Sequence, residues 1–204
     1  MTHCEVANLK KLLRQLNLYI NYGYVRYALR TIPEDKDLKI IDEKISKVYA
    51  VTYCRTTRAR RKKAGKANVI YLRLNRSFIL LASEGEEHEA CNKISSTNFL
   101  DRSLYFSGYS IGTKNQNVRG RGVLPRAWIE IAEERYSSIR KQLQGLALHN
   151  HQKVTDYFCR ISPFYFAGID QQKWKLLLET NRTRKRAGLP QIKWSDIKKW
   201  RSSK

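Results

Sequence analysis

Val6, Leu9, Leu13, Leu16 and Ile20 recur at steps of three and four, which puts one apolar stripe on a helix over residues 5–20. Gly23 closes it. Over residues 24–32 aromatic and branched side chains alternate with polar ones, the pattern of a strand, and Pro33 ends the run. Glu34, Asp35 and Asp37 suit the positive end of a following helix dipole, and Leu38, Ile41, Ile45 and Val48 mark that helix's inner face. Residues 55–66, R-T-T-R-A-R-R-K-K-A-G-K, hold no apolar side chain larger than alanine, so the segment has no core face and reads as a mobile loop. Residues 69–74 and 78–83 are short apolar runs either side of Asn75, Arg76 and Ser77, which predicts a hairpin. The stretch E-G-E-E-H-E-A-C-N-K-I then reads as a short helix with an acidic first turn, and residues 104–111 as a further strand.

From residue 24 to 111 the order is strand, helix, strand, strand, helix, strand. This predicts an α+β protein with a ferredoxin-like βαββαβ core. A glycine-rich loop at Gly120 and Gly122, with room for a short fifth strand, leads to Pro125, which suits a helix start. Trp128, Ile131, Ala132, Ile139, Leu143 and Leu146 then share one helical face. Two more helices are expected over 152–161 and 169–187, before Gly188 and Pro190, and the tail is basic with Trp194 and Trp200. The expected organisation is an N-terminal helix plus α+β core over 1–124 and a helical region over 125–204, packed as one unit. No internal repeat is visible.

Charge changes this picture most. Forty Lys and Arg face 18 Asp and Glu, a formal net charge of +22 with a pI near 10.1. Such an excess repels itself in a folded chain, and phosphates that release counterions on contact are its natural partner. The distribution is uneven: residues 44–83 contain 11 cations and no acid, and residues 102–129 and 180–195 are acid-free as well. Nucleic acid is therefore the expected partner, with protein partners in a nucleoprotein complex as a further expectation. Nothing resembles a membrane span, a signal peptide or a lipidation motif, so no membrane association and a cytoplasmic location, nucleoid-associated if the ligand is DNA, are expected. Cys4, Cys54, Cys91 and Cys159 are far apart without a C-x-x-C pair, and they suggest neither a zinc module nor a disulfide framework.

Strand alternation nominates a binding face. Tyr24, Arg26, Ala28 and Arg30 share one side of the first strand, Tyr71 and Arg73 one side of the second, and Tyr105, Ser107 and Tyr109 one side of the last. Arginine for phosphate and flat rings for bases is the combination used by single-strand platforms. The competing reading half-buries those rings under a helix. The remaining phosphate candidates are Arg55, Arg58, Arg60, Arg61, Lys62, Lys63 and Lys66 in the basic segment. Arg119 and Arg121 beside glycines, and Arg182, Lys185 and Arg186 near a helix C-terminus, complete the set. Cations at that last position also simply complement the dipole.

For chemistry the chain offers less. Glu84, Glu86, Glu87, His88, Glu89 and Cys91 crowd together after a strand, where a nuclease would hold a metal, although acids in a first helical turn are ordinary stabilisers. The expected function is thus a non-catalytic nucleic-acid-binding or accessory subunit, of DNA or RNA, without a cofactor, in a mobile-element or replication setting. The alternative is a magnesium-dependent nuclease using Glu84, Glu86, His88 and Asp101. Ferredoxin-like rolling-circle initiators carry two histidines flanking an apolar residue on a strand, and F-I-L-L-A-S has none.

Overall fold

The computed structural model of the protein describes residues 5–86, 96–118, 120 and 122–197. It is an α+β chain with two antiparallel sheets. Among the described residues no helix is long and apolar enough to cross a membrane. The chain divides into two units, Met1–Leu104 with Ile111–Ala127, and Tyr105–Ser110 with Trp128–Lys204.

In the first unit, α1 (Leu9–Asn21) begins where Asn8 accepts a hydrogen bond from the Lys11 N–H at 2.9 Å, and it buries Leu12, Leu13, Leu16 and Ile20. Gly23, at φ 85°, turns the chain into β1 (Tyr24–Thr31). Asp37 caps α2 (Leu38–Tyr49) by accepting from the N–H groups of Lys39 and Ile40. Next comes α3 (Arg55–Lys63), so residues 55–63 are a helix and not the expected loop. Arginine, lysine and alanine are strong helix formers, and no Gly or Pro interrupts them before Gly65. Without an apolar stripe the helix has no periodicity to betray it.

The predicted hairpin forms as β2 (Val69–Leu74) and β3 (Ser77–Ser83), turned at Asn75 with φ 55°. The first sheet has the order β2-β3-β1-β4, with β4 (Thr97–Asn98) paired antiparallel to Arg26 and Tyr27. A register irregularity between Tyr24 and Arg26 breaks the expected alternation of β1: Tyr24 is buried and Arg26 exposed. Residues Val69, Tyr71 and Leu80 form a core with Ile45 of α2. On the strands' other side chains, Tyr27, Ile70, Leu72, Ile79 and Leu81 are buried too, and α1 packs against β1 and β2. Both faces of the sheet are therefore occupied.

Residues 104–111 do not form one strand. Ser107 and Gly108, at φ 49° and 78°, make a tight turn between β5 (Leu104–Phe106) and β6 (Tyr109–Val118). The fourth strand of the first sheet is Thr97–Asn98 instead. Pro125 begins no helix either: it lies inside β7 (Gly122–Ile131), at the edge of the sheet β5-β6-β7, where a missing N–H is tolerated. The alternation Trp128, Ile129, Glu130, Ile131 is a strand pattern, with both isoleucines buried and the Trp128 indole N–H donating to Glu130 at 3.0 Å.

The second unit holds α4 (Glu133–Leu146), α5 (His151–Arg160), α6 (Ala167–Arg186) and the short α7 (Trp194–Ile197), with α4 packed on α5 and α6 and α5 on α7, and Ile129 and Ile131 are buried. Gly168 allows α6 to start against the β7 backbone: a Cβ there would lie 2.4 Å from the Ile129 carbonyl oxygen. The Gln172 amide then satisfies both the N–H and the carbonyl of Ile131, at 2.8 and 3.0 Å. Arg184 is buried and donates to the carbonyls of Ala147, His149 and Pro190, which makes it a structural residue in an otherwise exposed basic turn. Lys173 donates to the Ser162 carbonyl at 2.9 Å; burial pushes its ammonium pKa down, against the pull of Asp170.

Candidate nucleic-acid interface

The sheet face nominated by sequence is not a platform at β2. Tyr71 and Arg73 are 3% and 4% exposed, under α2. The Tyr71 hydroxyl donates to Asp42 Oδ1, and Arg73 Nε lies 2.9 and 3.1 Å from the two Asp42 oxygens. Arg73 also donates to the Asn75 carbonyl at 2.8 Å and reaches Glu5 at 3.5 Å. Burial disfavours its charge, yet the hydrogen bond and charge of Asp42, with Glu5 behind, outweigh this and hold the guanidinium above its ordinary pKa. Neither residue can meet a base or a phosphate without dismantling this cluster. Tyr109 is likewise buried, hydrogen-bonded to Ser162 and covered by the Arg135 guanidinium, whereas Tyr105 is 57% exposed. Arg26 and Arg30 are exposed on β1.

The basic segment forms a surface. Arg55, Arg60, Lys62, Lys63 and Lys66 are exposed, and Arg58 and Arg61 are half-buried. The helix is fastened by polar contacts instead of an apolar stripe. Arg61 donates to the Ala67 carbonyl at 2.9 Å and lies over the Tyr53 ring at 4.9 Å. Lys62 donates to the Tyr22 carbonyl at 2.9 Å, and the Asn68 side-chain N–H to the Arg58 carbonyl at 3.0 Å. Beside α3 runs a groove of about 420 Å³, lined by Tyr19, Tyr22 and Tyr24 together with Arg55, Arg58 and Lys62. Tyr22 is 51% exposed, and the Tyr19 and Tyr24 rings meet edge to face at 5.3 Å. Burial raises the Tyr24 phenol pKa; nearby Arg58 draws it back and Tyr19 adds to the rise. Asn68 lines the same groove, and its buried Oδ1 has no hydrogen-bond partner among the described residues.

No family model, curated protein or solved structure matches the chain.

Other nominated residues fall elsewhere. Arg182, Lys185 and Arg186 are exposed in the last turns of α6 in the second unit. Arg119, Arg121 and His88 lie outside the described residues, as does most of the expected acidic helix. Glu84, Glu86 and Asp101 are exposed. The backbone of Glu86 is tied to Gly65 and Ala67, a close approach that a Cβ at Gly85 would block. Among the described residues no three His, Cys, Asp or Glu side chains gather in a way that could hold a metal. Sequence reasoning missed Tyr19 and Tyr22, which sit at the end of an amphipathic helix. Their spacing of three, off the Leu13–Leu16–Ile20 stripe, was the available signal.

Proposed function

We propose that the protein binds nucleic acid as a non-catalytic subunit, with α3 and its surroundings as the principal phosphate-binding surface. The observation that carries this reading is the exposure of Arg55, Arg60, Lys62, Lys63 and Lys66 within a forty-residue span, 44–83, that contains no acid. Glu86, whose backbone is bridged to Lys66, is an acid from outside the span that comes close to this segment, so the cations of α3 outnumber the acids beside them and a polyanion is the partner that relieves the excess. Arg26 and Arg30 on β1 are further exposed cations of the first unit.

We also read the first-unit sheet as a ferredoxin-like core. β1 is antiparallel to β3 and β3 to β2, so β1 and β2 run parallel with β3 inserted between them, as a split βαβ unit requires. In this reading α3 is an additional helix in the crossover that also contains α2.

The test is binding across a salt series. Log K should fall linearly with log salt, at about −0.7 per neutralised phosphate on single strands and about −0.9 on duplex, for a total implying several contacts. A flat response would overturn the proposal.

A further inference from the structure

The groove beside α3 combines two chemistries in one space. Its cations, Arg55, Arg58 and Lys62, come from one helix, and its rings, Tyr19, Tyr22 and Tyr24, come from the junction of α1 and β1. Lys62 spends one N–H on the Tyr22 carbonyl and keeps two for other acceptors. A second groove of about 370 Å³ shares Tyr22 and Lys62 as its wall and reaches Leu100 and Arg126, so Tyr22 stands at the junction of two troughs. A duplex offers phosphates to such a surface but keeps its base faces stacked inside. A single strand offers both phosphates and open ring faces, and base-on-aromatic stacking is indifferent to sequence.

We propose that this groove receives a single-stranded segment of nucleic acid, with a base stacked on Tyr22 and the neighbouring phosphates on Arg55, Arg58 and Lys62. This rests on the reading of α3 as a phosphate-binding element and narrows its ligand. DNA and RNA share the chemistry involved.

The experiment compares one labelled sequence as single-stranded DNA, single-stranded RNA and duplex DNA, over a salt series, with wild type, Tyr22→Ala and Tyr22→Phe. At least one single strand should bind more tightly than the duplex at equal salt. Tyr22→Ala should weaken single-strand binding on the order of 5- to 150-fold at every salt concentration. The salt slope should stay unchanged, because a ring neutralises no phosphate. Tyr22→Phe should retain wild-type affinity, and a 2-aminopurine in the strand should lose emission on binding wild type but not Tyr22→Ala. If duplex and single strands bind equally and Tyr22→Ala binds like wild type while the salt slope persists, the single-strand inference falls and the phosphate reading stands. If no nucleic acid binds with a salt dependence, both fall. Should Tyr22→Ala lower the melting temperature, the strand comparison and the 2-aminopurine quenching, both on wild type, still decide the matter.

Discussion

Tyr71 and Arg73 on β2, and Tyr22 and Arg58 beside the α3 groove, are the same two residue types, and they have opposite fates. The β2 pair lies under α2, where Asp42 accepts from both and turns them into a buried polar cluster. The groove pair has no carboxylate among its wall residues, and Tyr22 remains half exposed. Neither the ring nor the guanidinium distinguishes the two sites. What differs is the acid delivered from elsewhere in the chain: Asp42, with Glu5 behind it, reaches the β2 pair, and no acid lines the groove. An arginine with a buried carboxylate is architecture, and one without is available to phosphate.

The largest effect expected from breaking this contrast is at Asp42. Asp42→Ala leaves the Arg73 charge buried with only Glu5 near it, and should cost about 3–5 kcal/mol of stability in urea denaturation. The salt slope of nucleic-acid binding by the folded protein should not move. A loss of less than about 1 kcal/mol would show that the cluster is not buried as described. Next in size, Tyr71→Phe removes the hydroxyl donated to Asp42 while keeping the ring, at a cost of about 1–3 kcal/mol, again without a change in binding. A Tyr71→Phe protein of wild-type stability would instead mean that the hydroxyl is dispensable. The smallest stability effect belongs to the other region. Replacing Arg55, Arg60, Lys63 and Lys66 together by Ala should shift stability by no more than about 0.5 kcal/mol per site. The same variant should make the single-strand salt slope shallower by up to about 3, at about 0.7 per phosphate. Unchanged binding in a fully folded variant would take α3 out of the interface.

Local pattern carried much of the fold. The 3-and-4 stripe of Leu13, Leu16 and Ile20 marked α1, which starts at Leu9, four residues later than expected, because Asn8 caps it and leaves Val6 outside; the run over 24–32 marked β1 and the Asn75 turn marked the hairpin, both with bounds close to those observed. The failures have physical causes. In α3 the helix is held by Arg61, Lys62 and Asn68 through polar contacts, so the hydrophobic periodicity that normally announces a helix is missing. Over 104–111 a short apolar run concealed a turn, although Ser107–Gly108 is the dipeptide that makes one. At Pro125 the helix-start signal competed with an edge-strand position, and the Ile129–Ile131 alternation was the better guide. For the candidate interface, the basic segment stood out in the sequence, but the tyrosines that share its groove did not.

The +22 charge, the acid-free span 44–83 and the apolar stripes are properties of the chain's order alone, because charge content and short-range periodicity need no knowledge of what lies opposite. The sorting of arginines and tyrosines into core and surface is another matter. Asp42 is 31 residues from Arg73, and Lys62 is 40 residues from the Tyr22 carbonyl it holds, so both sites exist only once the chain has brought distant elements together. Burial and partnership are set by such long-range contacts, and no local pattern of residues reports which carboxylate will arrive beside which arginine.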